Sequence, residues 1–441
     1  MMLSKMLYKM SKLKWSKGLR DKCATVEQIE GWSLEQIRRW QLEKIKKLLS
    51  HAVTHIPYYK GLFKQQSIDL RDIQNLEDLK SIPLLTRELL QAHASEMKDR
   101  GLEGVINHSG GTTGQPLHFY QDQEYLEWAR ISRRWALINL SGFTHGEKIA
   151  YLWGSDHDSV GHITLRGKMS DRAHNIFYIN TFDITQDQIE KYARTLLRWK
   201  PKFIVGYASS LKMLADLFER NKLHLKVEAI RSAAGTLYPS VRKKLEDIFS
   251  AQVYNQYGSR EVSLIASECD HHEGLHECVF HNYVETIDIG DGFHKIIVTN
   301  LHNKVFPFIR YDIGDTCRLS PRMCSCGRNH PLIERVTGKN VEIITSPSGK
   351  LIDGAFFNHL FYIVGGIAQF QVVQESKYEI TIKLVKGANF DVQSLKIIED
   401  EILKYGDPQF NVKFIFLKTI KPAVSGKRLF IMSKVPLGIG D

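Results

Sequence analysis

After His108 the chain reads Ser109-Gly110-Gly111-Thr112-Thr113-Gly114. A run of small hydroxyl and glycine residues can fold its backbone N–H groups around phosphate oxygens, because glycine permits close approach. It is not a Walker loop: four Gly-Lys pairs occur, at Lys168, Lys339, Lys350 and Lys427, and none has a glycine five positions before its own. By itself such a run is equally a flexible turn. Three later segments carry compatible chemistry. Tyr257-Gly258-Ser259-Arg260-Glu261 sets an acid just after a turn, where it caps a helix or, beside a phosphate loop, holds Mg²⁺. Arg310-Tyr311-Asp312-Ile313-Gly314-Asp315 ends in an acid after a glycine turn, suited to bidentate hydrogen bonding with ribose hydroxyls or to a plain surface hairpin. Pro422-Ala423-Val424-Ser425-Gly426-Lys427 places a lysine before the apolar stretch 429–432. That lysine can aim a point charge at a phosphoryl or carboxylate oxygen, or stand in solvent.

The elements that must position these segments read as α/β. Ser33 and Gln36 form a capping box ahead of an apolar stripe, which predicts a helix over 33–55 that Pro57 ends. Further helices are expected at 123–140, 186–199, 209–220 and 239–249. They alternate with strands at 149–153, 203–205, 229–232 and 252–254, which argues for helices covering a largely parallel sheet. Strand ends in such a sheet open onto a binding crevice, so Tyr151, Trp153, Tyr207 and Ala233 are candidate pocket residues, and the aromatics among them favour a flat or apolar ligand. Beyond Val284 the chain becomes strand-rich, with 293–299 the clearest strand. Near Gly338 the rhythm changes to strand (369–373), strand (378–385), helix (392–403) and strand (413–417), enough for a small separate module. The expected division is 1–338, with a basic helical arm at 1–30, and 339–441.

With 441 residues, 43% hydrophobic and 25% charged, the chain is of ordinary globular composition and needs no disulfide staples. Six cysteines are too few for a disulfide scaffold, and one residue between Cys324 and Cys326 hints at metal. Lysines interrupt every apolar stretch from Met1 to Trp15, so neither a signal peptide nor a membrane span is expected. The net charge of +11 is largely local: between Met1 and Lys22 stand Lys5, Lys9, Lys12, Lys14, Lys17, Arg20 and Lys22 against Asp21 alone. Residues 1–22 therefore read as a solvated terminus or as an amphipathic contact with anionic membrane. Only Tyr8 and Trp15 interleave with them, a thin stacking platform that argues against nucleic-acid binding.

Taken in order, the four segments resemble the adenylate-forming superfamily of acyl-CoA ligases. Gly258-Ser259-Arg260-Glu261, the pair Glu268-Cys269 with Gly274-Leu275-His276, and Cys324-Ser325-Cys326-Gly327-Arg328 are similar to the phenylacetate–CoA ligase branch and its capsular-polysaccharide relatives. The resemblance implies a large multi-sheet N-terminal domain and a small mobile C-terminal one. It further implies a phosphate loop at Ser109–Gly114, an adenine-contacting main chain at Gly235-Thr236, and adenine stacking on Tyr257 beside Gly258 and Ser259. Glu261 would serve Mg·ATP, Asp315 the ribose, and Lys427 the adenylation step. Where the family has Gly-Arg and an acidic hinge, this chain has Gly338-Lys339-Asn340-Val341, with Lys339 at the phosphate-contacting position. Three thiolates and an imidazole from Cys269, His276, Cys324 and Cys326 make a closed tetrahedral Zn²⁺ set of structural type, which some members of the branch carry. Free thiols remain the alternative, and His271, His272 or Cys278 can substitute for His276. The expected protein is a cytoplasmic ligase, at most peripheral at the inner membrane face, taking ATP, Mg²⁺ and a carboxylic acid and passing the acyl group to CoA or to an amine acceptor. An inactive scaffold or a membrane-surface binder is the reading from another class.

Overall fold

Ser33 starts the first long helix as its neighbours dictate: Gln36 N–H donates to its hydroxyl and the Gln36 side chain accepts from the Ser33 N–H at 2.8 Å. This helix, Leu34–His55, buries Ile37, Ile45, Leu48, Leu49 and Ala52. Pro57 opens a second helix, Pro57–Gln65, rather than merely closing the first, because proline suits the first helical position, where an N–H is unpaired anyway. The computed structural model describes residues 17–109, 117–144, 146–153, 164–181, 186–339, 343–364, 366–387, 389–420 and 430–435.

The strands up to the middle of the chain are β1 (Val105–His108), β2 (His118–Gln121), β3 (Ile149–Trp153), β4 (Ile176–Asn180), β5 (Phe203–Tyr207), β6 (Ala229–Ala233), β7 (Gln252–Ser259), β8 (Ser263–Glu268) and β9 (Leu275–Glu277). Then come β10 (Asn282–Gly290), β11 (Phe293–Asn300), β12 (Tyr311–Leu319), β13 (Leu332–Lys339), β14 (Ile343–Thr345), β15 (Leu351–Asp353), β16 (Ile367–Gln374), β17 (Glu379–Lys386), β18 (Asn411–Phe416) and β19 (Ile431–Ser433). Eleven of them form one sheet in the order β10-β11-β12-β13-β9-β8-β7-β6-β5-β3-β4. From β4 to β7 the pairs are parallel, as the alternation of helices and strands predicts. From β7 to β10 they are antiparallel. Helices Gln186–Trp199, Ala208–Arg220 and Pro239–Phe249 cover the parallel half through Leu196, Leu211, Leu214, Phe218, Leu245 and Phe249. β5 runs on through Gly206 and Tyr207 instead of ending at the glycine. A Cβ at Gly206 would stand 2.9 Å from that of Leu152, so glycine there allows two strands to pack closely.

Strands β18-β17-β16-β19 form a separate four-stranded sheet, covered by helices Gly354–Val364 and Gln393–Glu401. β19 is parallel to β16, with Ile431 opposite Val372, and the Phe430 carbonyl accepts from the Val372 N–H at 2.8 Å. Ile420 donates its N–H to the Gln369 side chain at 2.8 Å, so both flanks of segment 421–429 are fastened to β16.

Residues 1–16 of the basic arm lie outside the described residues. Its remainder is built into the fold: helix Lys17–Ile29 packs on helix Gln123–Ile138. Lys22 is buried and pairs with Glu124 at 3.2 Å and Glu127 at 2.9 Å, so its charge is spent inside the protein and is not available to a membrane. No described helix is long and apolar enough to cross a membrane.

Candidate functional site

β1 and β2 form a hairpin whose neck frames the phosphate-loop candidate. Ser109 N–H donates to the Leu117 carbonyl at 2.9 Å, and Leu117 N–H returns a bond to the Ser109 hydroxyl at 3.0 Å. Gly110, Gly111, Thr112, Thr113 and Gly114 lie outside the described residues. The hairpin is tied to the turn after β7: the Gln121 side chain donates to the Arg260 carbonyl at 2.9 Å, and Arg260 donates to the His108 carbonyl at 3.3 Å. Tyr125 holds the Glu261 carbonyl at 3.2 Å. Gly258 makes this turn possible, since a Cβ there would collide with the Ser263 carbonyl. Glu261 is buried at this turn, and a carboxylate oxygen is the kind of ligand that Mg²⁺ takes.

The Tyr257 phenol donates to Asp315 Oδ2 at 2.7 Å. β7 and β12 are four places apart in the sheet order. In a flat sheet they would be about 19 Å apart. Their contact therefore means that the antiparallel half folds back on itself, closing Tyr257 over Asp315. Lys339 stands opposite Asp315 in the β12–β13 register. Gly235 and Thr236 follow β6 in the turn that begins at Ala234, whose φ is +51°. Lys427 lies outside the described residues, but Phe430, three positions on, places its ring 6.5 Å from that of Tyr238, two positions after Thr236.

The pocket candidates gather at the carboxyl ends of parallel strands. Trp153 and Tyr207 have ring centroids 4.8 Å apart, and Ala233 pairs with Tyr207 in register. Tyr151 sits two residues further back on β3, opposite Val205. Burial pushes its phenol up to about 12.

Cys269 follows β8, His276 is central in β9, and Cys324 and Cys326 lie in the connection from β12 to β13. The structure brings them together: Cys269 Sγ to Cys324 Sγ is 3.7 Å, and His276 Nε2 lies 3.3 Å from Cys269 Sγ and 3.5 Å from Cys326 Sγ. Edges of a tetrahedron around Zn²⁺ with such ligands are about 3.5–3.8 Å. Burial, with the nearby His330 and Arg328, lowers His276 to about 3, which keeps the imidazole neutral, as a metal ligand must be. Burial also opposes ionisation of Cys326, but the Arg328 donors outweigh it and lower its thiol. The substitutes fall away: His271 bonds Ser325 at 2.7 Å, His272 faces Glu268 at 3.4 Å, and Cys278 is not in the cluster. These four residues can hold one tetrahedral soft cation with no open position.

Comparison with known proteins adds a second line. Residues 344–434 match the CapK C-terminal domain family. Over 392 residues, 86% of this chain and 85% of the relative, the sequence is 21% identical to protein CapK of Staphylococcus aureus. It is 22% identical to phenylacetate–coenzyme A ligase of Thermus thermophilus over 321 residues, 68% of this chain and 69% of that one. The fold matches 2-hydroxyisobutyryl-CoA ligase in its postadenylation state with a TM-score of 0.74 at 15% identity, covering 92% of both chains. Over two thirds or more of its length the chain is thus similar in sequence to CapK and to phenylacetate–CoA ligase, and its fold is that of an acyl-CoA ligase of the adenylate-forming kind.

One side chain outside these motifs also reaches the loop neck. Arg87, at the start of helix Arg87–Ala92, donates to the Ser109 hydroxyl at 3.0 Å. Thr86 fixes it by capping that helix through the Leu89 N–H. The Thr86 cap is visible in sequence, but nothing local says that the next side chain reaches a loop twenty-two residues on.

Proposed function

We propose that the protein activates a carboxylic acid with ATP, forming an acyl-adenylate and pyrophosphate, and then passes the acyl group to an acceptor. The observation that carries this reading is the meeting of the Ser109 neck, the turn that bears the buried Glu261 and the Tyr257–Asp315 pair in one region. In the first step a carboxylate oxygen attacks the α-phosphorus and the pyrophosphate oxygen leaves. Little proton transfer is required, so positioning and charge neutralisation supply the catalysis. Glu261 would hold Mg²⁺, which supplies positive charge to the phosphates. Asp315 would accept from the ribose hydroxyls, Tyr257 would stack on adenine, and Gly235-Thr236 would meet it by main chain. Ser109 to Gly114 would cradle phosphate, assisted by Lys339 and Arg87. Lys427 would enter from a small module, 339–441, moving against 1–338. Tyr151, Trp153, Tyr207 and Ala233 would line the acyl pocket.

Cys269, His276, Cys324 and Cys326 would hold a structural Zn²⁺. The acceptor is CoA or an amine on a polysaccharide precursor. The first follows the phenylacetate–CoA ligase relatives. The second is the alternative that the resemblance to capsular-polysaccharide relatives raises. A panel of carboxylic acids in a pyrophosphate-release assay, with and without CoA, tests both. An acid-dependent release that CoA does not accelerate supports the amine acceptor. No release with any acid, together with no ATP–pyrophosphate exchange, supports an inactive scaffold instead.

A further inference from the structure

The carboxyl end of helix Leu34–His55 gathers side chains that the nucleotide reading does not use. His51 and His55 stand one helical turn apart on it, with ring centroids 4.7 Å apart and planes inclined at 26°. His51 is mostly buried, whereas His55, the last residue of the helix, is exposed. Asp99 comes from a separate segment and is buried beside them, its Oδ2 3.1 Å from His51 Nε2. The other oxygen, Oδ1, accepts the Gly101 N–H at 2.7 Å, and the Asp99 N–H donates to the Val305 carbonyl at 2.9 Å, so the carboxylate is fixed in place.

The His51–Asp99 contact is short but is not a hydrogen bond: His51 Nε2 is buried and has no hydrogen-bond partner among the described residues. Asp99 Oδ2 therefore lies off the axis along which a ring N–H would point, since a good bond needs an angle above about 150°. That is where a second ligand of one cation belongs. Donors about 2.1 Å from a metal and at right angles about it are about 3 Å apart, each about 45° off the other's line to the ion. Burial, then the neighbouring His55, lowers the His51 pKa below its ordinary value against the pull of Asp99, which leaves a neutral imidazole with a lone pair.

We propose that His51, His55 and Asp99 form a metal site, open rather than closed, for a divalent transition ion such as Ni²⁺ or Zn²⁺, with water at the remaining positions. Imidazole suits such ions, whereas Mg²⁺ takes oxygen. Histidines four residues apart on a helix share one face, and turning the exposed His55 ring about its side-chain bonds brings a nitrogen to the ion that His51 and Asp99 hold. The ion would tie the helix end to segment 99–101. The site shares no residue with the Cys/His cluster or with the nucleotide region, and stands independently of both.

The test uses the full, untagged chain as purified, so that any metal the cysteines hold stays in place. Ni²⁺ is titrated calorimetrically into wild type, His55→Ala, Asp99→Asn and, as a control, His93→Ala, which alters an exposed histidine outside the set. Thermal unfolding verifies that each variant folds. Wild type should take up one Ni²⁺ per chain and melt higher with it. Loss of even an outer-shell partner costs about 10–100-fold in metal affinity, so His55→Ala should weaken binding by about 100-fold. Asp99→Asn, which keeps an acceptor for Gly101, should weaken it by about tenfold. His93→Ala should match wild type. No Ni²⁺ uptake by wild type, unchanged affinity in either site variant, or the same loss in His93→Ala as in His55→Ala overturns the proposal.

Discussion

β8 is six residues long, with Glu261 two positions before it and Cys269 immediately after it. At about 3.3 Å per residue the two sites it joins are about 25 Å apart. They are built on opposite rules. At the Cys269 end every ligand atom lies within 4.8 Å of the others, and the set closes on itself. At the Glu261 end the groups are fixed from behind, by Tyr125 on a carbonyl and Tyr257 on one carboxylate oxygen, and no such closed set is found there among the described residues. A site that holds the fold together uses up its donors and acceptors. A site that binds and releases substrates keeps some uncommitted.

Removing the closed end should have the largest effect. Structural Zn²⁺ in small domains contributes about 10 kcal/mol or more to folding. Cys326→Ser, or prolonged exposure to a strong chelator, should therefore unfold the chain or lower its melting temperature steeply, with elemental analysis of the native protein giving one zinc per chain. Native protein free of zinc, with melting indifferent to chelator, would show the four residues to be a thiol cluster only.

Next in size is Lys427→Ala. Loss of a preorganised donor typically costs about 10²–10³ in rate, so carboxylate-dependent ATP–pyrophosphate exchange should fall by that factor. ATP affinity should hold, as should transfer from preformed acyl-adenylate. Equal loss in both half-reactions would show that Lys427 does not serve adenylation alone.

Between the two ends lies His281, buried with its ring 5.3 Å from that of Tyr125. Burial, then the Arg133 charge, lowers it to about 3. The unfolded chain takes up this proton below about pH 6.5 and the folded chain does not, so stability falls as pH drops from there towards 3. Between pH 7 and pH 5 this one residue should account for about 2 kcal/mol of lost stability. Denaturant unfolding of His281→Gln should show a correspondingly flatter pH dependence, and a slope identical to wild type would exclude it.

The smallest effect belongs to Arg87→Ala. It should raise the KM for ATP about tenfold, the worth of a charge-assisted hydrogen bond to the loop neck, and leave melting within a degree or two of wild type. A large fall in melting temperature with unchanged KM would move Arg87 to the structural side of the comparison.

Much of this was legible in the chain. Capping at Ser33, the alternation from β3 to β7 and the Cys/His spacing are local patterns with one dominant physical outcome. The meeting of Cys269, His276, Cys324 and Cys326 in particular was readable from their two short spacings. Lys22 and Arg87 were not, since a lysine in a basic run or an arginine after a cap looks the same whether it faces water or a glutamate brought from a hundred residues away. The Tyr257–Asp315 bond was hidden for another reason: it depends on the sheet folding back on itself, and no stretch of sequence contains that curvature. β19 is three residues long and owes its pairing wholly to β16.

The fastening of both flanks of 421–429 to β16 sets where the connection between Ile420 and Phe430 must begin and end. Gln369 and Val372 are three residues apart on one strand, or about 10 Å, whereas the chain from Ile420 to Phe430 can extend to about 33 Å. Lengthening it would cost little stability, about 0.6 kcal/mol even for a doubling. The same change would alter how far the lysine within it can reach. An insertion between Ile420 and Phe430 would then leave both fastenings in place while changing the length of chain that carries Lys427 between them.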